Sequence, residues 1–255
     1  AELAGRPEVP IHAGRAEPLM RPLETAQFVH GEDGMAGAVL PEPSRAVDRG
    51  EAVEALLAIA ADEPDAHTLV TLGPLTNIAL CLEQAPTFLE GFQHVYLMAG
   101  SPDGVGNVNA LGEFNVWADP EAASSVLAAP GTKTIIGWNI SRQYAVMRPE
   151  ESARLADCGR LGRFCVAINR VVEQYCRDTG LEGMDLPDPV AMAVALDDSI
   201  ITDSTDEALV VGIDEPTRGA VLPDRRFLGA TANTRVVWAV DEPAFKERLY
   251  AACSD

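Results

Sequence analysis

The sequence predicts an α/β fold, a doubly wound, mostly parallel sheet flanked by helices, with a short antiparallel extension near residues 207 to 240. Three observations carry this. The runs "HTLVTLG" (67 to 73), "HVYLMAG" (94 to 100) and "TKTIIGWNI" (132 to 140) are apolar on both alternating faces, as strands covered on both sides must be. Helix-period segments separate or follow them, which is the rhythm of strand–helix–strand crossovers. The chain has 255 residues, 47% of them apolar, enough to bury a large core.

Each element follows from local chemistry. "AELAGR" reads as the last turn of a helix closed by Gly5, and Val9 to His12 as a short strand behind it. A loop rich in Gly, Glu, Asp and Pro runs from Val29 to Pro43. "AVEALLAIAADEP" (52 to 64) sets Val53, Leu56, Leu57 and Ile59 on one helical face and stops at Pro64. "PLTNIALCLEQAP" (74 to 86) opens a helix with Pro74 near its first turn. "DPEAASSVLAAP" (119 to 130) starts another, with Asp119 as cap and Pro120 at its first position. Residues 148 to 180 are helical, and "RLGRFCVAINRVVEQYCRDTG" is their longest periodic stretch. "DLPDPVAMAVALD" (185 to 197) places a polar loop before an apolar helix. "EALVVGIDE", "GAVLPDRR" and "TRVVWAVDE" alternate like short antiparallel strands, and "PAFKERLYAAC" closes as a helix. No repeat or low-complexity linker divides the chain, so 1–255 reads as one α/β domain.

Nineteen Lys plus Arg against 39 Asp plus Glu leave a formal charge of -20. That field repels nucleic acid polymers and anionic membrane surfaces, and it favours cations or neutral polar ligands; plain solubility accounts for it equally well. Five cysteines with no CxxC spacing read as free thiols in a reducing compartment. No stretch reaches the roughly 18 apolar residues of a membrane span, and the first residues lack the pattern of a signal peptide. A cytoplasmic protein is expected. A domain rarely starts on the tail of a helix, so sequence upstream of Ala1 is expected too.

Ligands of open α/β sheets bind outside the carboxyl ends of the strands. Three polar loops share that address: "LGPLTN" (72 to 77), "GNVNALGEFN" (106 to 115) and "DLPDP" (185 to 189). Asn107, Glu113 and Asn115 suit a polyhydroxylated neutral ligand, since amides donate to and accept from vicinal hydroxyls; closing turns is the competing role. Asp188, between two prolines at a helix start, reads as a helix cap or a hard-cation ligand, with Asp185 a rival for either role. His30, in the glycine-flanked "HGEDG", is an exposed loop histidine or a general acid. His12, His67 and His94 read as structural. Trp117 and Trp138 are core or rim residues, or platforms for a ring.

At these residues the chain resembles the inosine-uridine preferring nucleoside hydrolase family. The likeness rests on "LGPLTNIA", on "LMAG" followed by "GNVNALGEFNVWADPEAA", on "HGEDGMAG" and on "DLPDPVAMAVAL", in that family's order along essentially the whole chain. It implies hydrolysis of the N-glycosidic bond of ribonucleosides by a homo-oligomer with a bound calcium ion. It also implies that Asn107, Glu113 and Asn115 contact ribose hydroxyls, with Phe114 and Met98 against the sugar. Asp188 and the backbone carbonyl of Leu72 would ligate calcium, and His30 would lie near the nucleobase. Two departures stand out. The family's aspartate-rich opening strand-loop, which supplies calcium ligands and the general base, is absent from these residues, as if one βαβ unit preceded them. Pro187 stands where many members carry a histidine that protonates the leaving group. A catalytically silent relative that binds a pentose or nucleoside is the alternative, and Asp33 is the first substitute base to consider.

Overall fold

The computed structural model describes residues 1–226 and 231–254. In chain order its strands are β1 (Thr68–Thr71), β2 (His94–Leu97), β3 (Lys133–Ile135), β4 (Val146–Met147), β5 (Met184–Asp185), β6 (Ile201–Glu207), β7 (Leu209–Val211), β8 (Val221–Pro223) and β9 (Thr234–Val240). Helices α1 (Gln27–His30), α2 (Ala52–Asp62), α3 (Thr76–Gln84), α4 (Phe114–Ala118), α5 (Pro120–Ala128) and α6 (Trp138–Tyr144) belong to the first half. The second half carries α7 (Pro149–Asp157), α8 (Arg160–Ile168), α9 (Arg170–Asp178), α10 (Pro187–Leu196) and α11 (Glu242–Cys253).

The central sheet has the order β1-β2-β3-β9-β6, with β1, β2, β3 and β9 parallel and β6 antiparallel at the edge. Side chains of a strand alternate between faces, and here both faces are apolar. Leu69, Val95, Leu97, Ile135 and Val236 join one core with residues of α3 and α5, against which α2 packs. Tyr96, Met98, Ile136, Val237 and Val240 join a second core with α6, α7, α10 and α11. This is the doubly wound, mostly parallel sheet that the apolar runs predict. The antiparallel extension is present as β6 against β9 and β7 against β8; residues 227–230 of that stretch lie outside the described residues.

Four elements differ from expectation. Val9 to His12 forms no strand, only a bridge from Ala13 to Glu51, because Pro10 removes a donor and no neighbouring strand pairs with it. The strand of "TKTIIGWNI" ends at Ile135, and Trp138 starts α6 after Gly137. The long periodic stretch breaks at Asn169 into α8 and α9. β6, "ITDSTDE", carries no apolar pattern, and β9 takes a parallel partner on its other side. Among the described residues no helix is long and apolar enough to cross a membrane.

Candidate active site

The loops that leave β1 and β2 meet the start of α10 around a cleft of about 850 Å³. Leu72 enters it directly after β1 and Met98 directly after β2. Asn107, Glu113, Phe114 and Asn115 come from the second loop, Asp188 from the first turn of α10, and His30 from the end of α1. The eight residues to which the family resemblance assigns roles therefore line one cavity, although more than 150 positions separate His30 from Asp188.

The second loop is built by its own polar side chains. Glu113 caps α4: its carboxylate accepts from the backbone N–H groups of Asn115 (2.9 Å), Val116 (3.4 Å) and Gly100 (2.8 Å). Burial pushes its pKa up to about 7 against those bonds, and the Asp188 charge adds to the rise. Asn107 Oδ1 accepts from Phe114 N at 2.9 Å, and Asn115 Nδ2 donates to the Met98 carbonyl at 3.1 Å. Asn109 closes the turn by accepting from Leu111 and Gly112 and donating to the Arg218 carbonyl. Turn architecture is thus real, yet it occupies only half of each cleft amide. Asn107 Nδ2 and Asn115 Oδ1 form no hydrogen bond among the described residues, so a donor and an acceptor remain for a ligand.

Asp188 is not a helix cap. Leu186 occupies the cap position of α10 with no side-chain cap bond, and Asp188 sits in the first turn behind Pro187. Burial and the nearby Asp185 carboxylate push Asp188 up to about 6. Asp185 lies outside the cleft lining and receives the indole N–H of Trp138 at 2.6 Å. The rival acid is therefore bound into the scaffold, and Trp138 is its partner rather than a platform. Trp117 likewise lies under the Arg218 guanidinium, 3.8 Å away, outside the cleft.

Carboxylate and carbonyl oxygens with no thiolate beside them are the donors of a hard cation. Buried Thr71, another cleft residue, has an Oγ1 without a hydrogen-bond partner among the described residues, so the pocket fits such an ion in kind. In number the set is partial. No group of three or more His, Cys, Asp or Glu side chains gathers for a metal among the described residues, whereas calcium takes about six to eight oxygens.

His30 ends the one-turn helix α1 rather than lying in an open loop, and partial desolvation holds its imidazole below the ordinary pKa. α1 is tied to α9 by the edge-to-face rings of Phe28 and Tyr175, 5.8 Å apart, and both rings line the cleft. Sequence reasoning missed Thr71, Phe28 and Tyr175. Tyr175 lay inside a helical period and Phe28 in an unpatterned segment, so nothing local pairs them. Asp33 accepts from Met35 and Gly37 N–H groups and lies outside the cleft lining, which removes it as the substitute base. His94, stacked on Tyr96 and 2.7 Å from Thr134 Oγ1, is a structural histidine.

Residues 1–247 match the family profile described as inosine-uridine preferring nucleoside hydrolase. A pyrimidine-specific ribonucleoside hydrolase RihA from Shewanella woodyi is 38% identical over 97% of this chain and 80% of its own length. An uncharacterized protein of Schizosaccharomyces pombe is 34% identical over 97% of this chain and 81% of its own. Among solved structures, a plant nucleoside hydrolase superposes with a TM-score of 0.92 at 27% identity, covering 99% of this chain and 83% of that one. A purine-preferring ribonucleoside hydrolase from Gardnerella vaginalis gives 0.89 at 27% identity, with the same coverage.

Proposed function

Because the chain belongs to the inosine-uridine preferring nucleoside hydrolase family, we propose that it hydrolyses the N-glycosidic bond of ribonucleosides in a calcium-dependent reaction, releasing ribose and a free nucleobase. Family and fold support glycosidic-bond hydrolysis of nucleosides. The observation that carries the finer reading is the cleft itself, where unspent amide ends of Asn107 and Asn115 share the lining with the buried carboxylate of Glu113 and the half-buried one of Asp188.

The roles follow from that chemistry. Asn107, Glu113 and Asn115 hold the ribose hydroxyls, and Met98 and Phe114 close on the sugar and exclude water. Negative and dipolar groups around the sugar favour the positive charge that develops as the bond to the base breaks. Asp188 and the Leu72 carbonyl would hold calcium, which would supply positive charge beside the sugar. His30 stands on the nucleobase side as the acid. Its lowered pKa keeps most of it neutral at pH 7, so protonation of the leaving group by His30 grows as pH falls. Pro187 supplies no proton. Among proteins similar to this chain, one is named pyrimidine-specific and one purine-preferring, so no base preference is assigned. A cytoplasmic homo-oligomer completes the proposal.

The donor count favours one second reading, a silent binder of nucleosides or pentoses. The deciding experiment is release of reducing sugar from a panel of purine and pyrimidine ribonucleosides in calcium. Binding without release would leave the binder standing. Since Asp188 and one carbonyl hold calcium weakly, residues 1–255 on their own are expected to turn over slowly and to respond to high calcium.

A further inference from the structure

Three of the five cysteines surround the end of α11, away from the cleft. Cys253, the last residue of α11, is buried in the second core, and Cys165 of α8 and Cys158 after α7 pack against that same core. The sulfurs of Cys165 and Cys253 are 4.0 Å apart, although the residues are 88 positions apart in sequence. Cys81 and Cys176 are buried elsewhere. Cys158 Sγ is engaged with the Arg154 carbonyl at 3.4 Å.

We propose that Cys165 and Cys253 are a redox modification site, joined by a peroxide into an intramolecular disulfide that ties α8 to α11. The sulfurs must close by about 2 Å to reach bonding distance. The position of Cys253 helps, because only the last turn of α11 has to adjust, and Ser254 is held there by single bonds to Ala251 and Tyr250. Cys165 is partly open to solvent whereas Cys253 is only 5% exposed, so the oxidant meets Cys165 first. Burial and the neighbouring thiol push the Cys253 pKa up to about 12, which keeps it a thiol until the first oxidation has occurred. The Cys165 thiolate attacks one peroxide oxygen, giving a sulfenic acid and hydroxide. The Cys253 sulfur then attacks the sulfenic sulfur, loses its proton and displaces the hydroxyl as water. The sum is two thiols and one hydrogen peroxide to one disulfide and two waters. The site is independent of the nucleoside chemistry.

The test is to treat the protein with hydrogen peroxide, count thiols after unfolding, and map peptides without reduction. The expected result is a fall from five thiols to three, a crosslinked peptide pair containing Cys165 and Cys253, and a monomer band on non-reducing gels. Melting temperature should rise by on the order of 5–10 °C and return on reduction, because the crosslink restricts a long loop in the unfolded chain. C165A removes a partly exposed sulfur, so it should fold, keep its four remaining cysteines as thiols and show neither the crosslink nor the melting shift; C253S serves as the second variant. A disulfide that uses Cys158, an intermolecular crosslink, sulfinic acid at Cys165 with Cys253 still free, or five retained thiols would each overturn the proposal.

Discussion

Glu113 both fixes the scaffold and lines the cleft. Its three backbone bonds fix the second loop, while its burial raises the folded pKa to about 7 from an ordinary 4.5. A raised carboxyl pKa means that the stability it contributes is fully present below about 4.5 and is lost as pH rises through 7. Between pH 5 and 8 the wild type should therefore lose roughly 3 kcal/mol more than E113Q, whose side chain does not titrate. Urea unfolding at both pH values checks this, and parallel pH curves would refute it. Asp188 behaves differently, since no scaffold bond holds its carboxylate. Its folded pKa of about 6 is also raised, so its ionisation costs stability above that pH when no cation is present. D188N should melt at or above the wild-type temperature at pH 8 in chelator, yet lose at least about 100-fold in nucleoside turnover with calcium. A variant that unfolds, or one that keeps full turnover, would remove Asp188 from the proposed site.

At the scale of elements, the cleft depends on a buried aspartate that the sequence marks only as a cap. Asp119 caps α5 through Ala122 N at 3.1 Å, and its other oxygen accepts from Leu19 N at 2.9 Å and Thr76 Oγ1 at 2.7 Å. One fully buried carboxylate thus joins α5, the start of α3 and the segment near residue 19. Arg21 repeats the connection with a half-buried, two-pronged pair to Glu121. D119A should cost roughly 3 kcal/mol, because it strands three donors, whereas a cap alone is worth about 1 kcal/mol. Denaturant midpoints measure the difference, and a loss of cap size only would show that the cross-connection contributes nothing. Local reading succeeded for α5 because Asp-Pro names both its cap and its first residue. It failed for α6, where the apolar run "IIGWNI" crosses from strand to helix without changing composition. It failed for β6 because an edge strand with one exposed face needs few apolar residues.

For the molecule as a whole, two outcomes follow from the proposed function. Calcium that binds the folded chain and not the unfolded one must raise the melting temperature in proportion to the logarithm of its concentration. Magnesium should do so less, because it demands a smaller, near-octahedral site; equal shifts from both ions would point to diffuse attraction by the -20 charge instead. Sedimentation is expected to show an oligomer at micromolar concentration, and a monomer throughout would refute that part of the proposal. The sequence by itself determined the layered fold, since continuous apolar runs are stable only with both faces covered, and it marked three of the loops that line the cleft, but not the segment between residues 15 and 28 that lines it as well. Tertiary structure alone decided which polar groups are spent and which are free. Asp185 and Asp188 are three residues apart with the same side chain, yet one is bound to Trp138 from α6 and the other faces the cleft. Phe28 meets Tyr175, and Cys165 meets Cys253, for the same reason. Hydrogen bonds and contacts between distant segments depend on how the layers close, and no local pattern of residues records that closure.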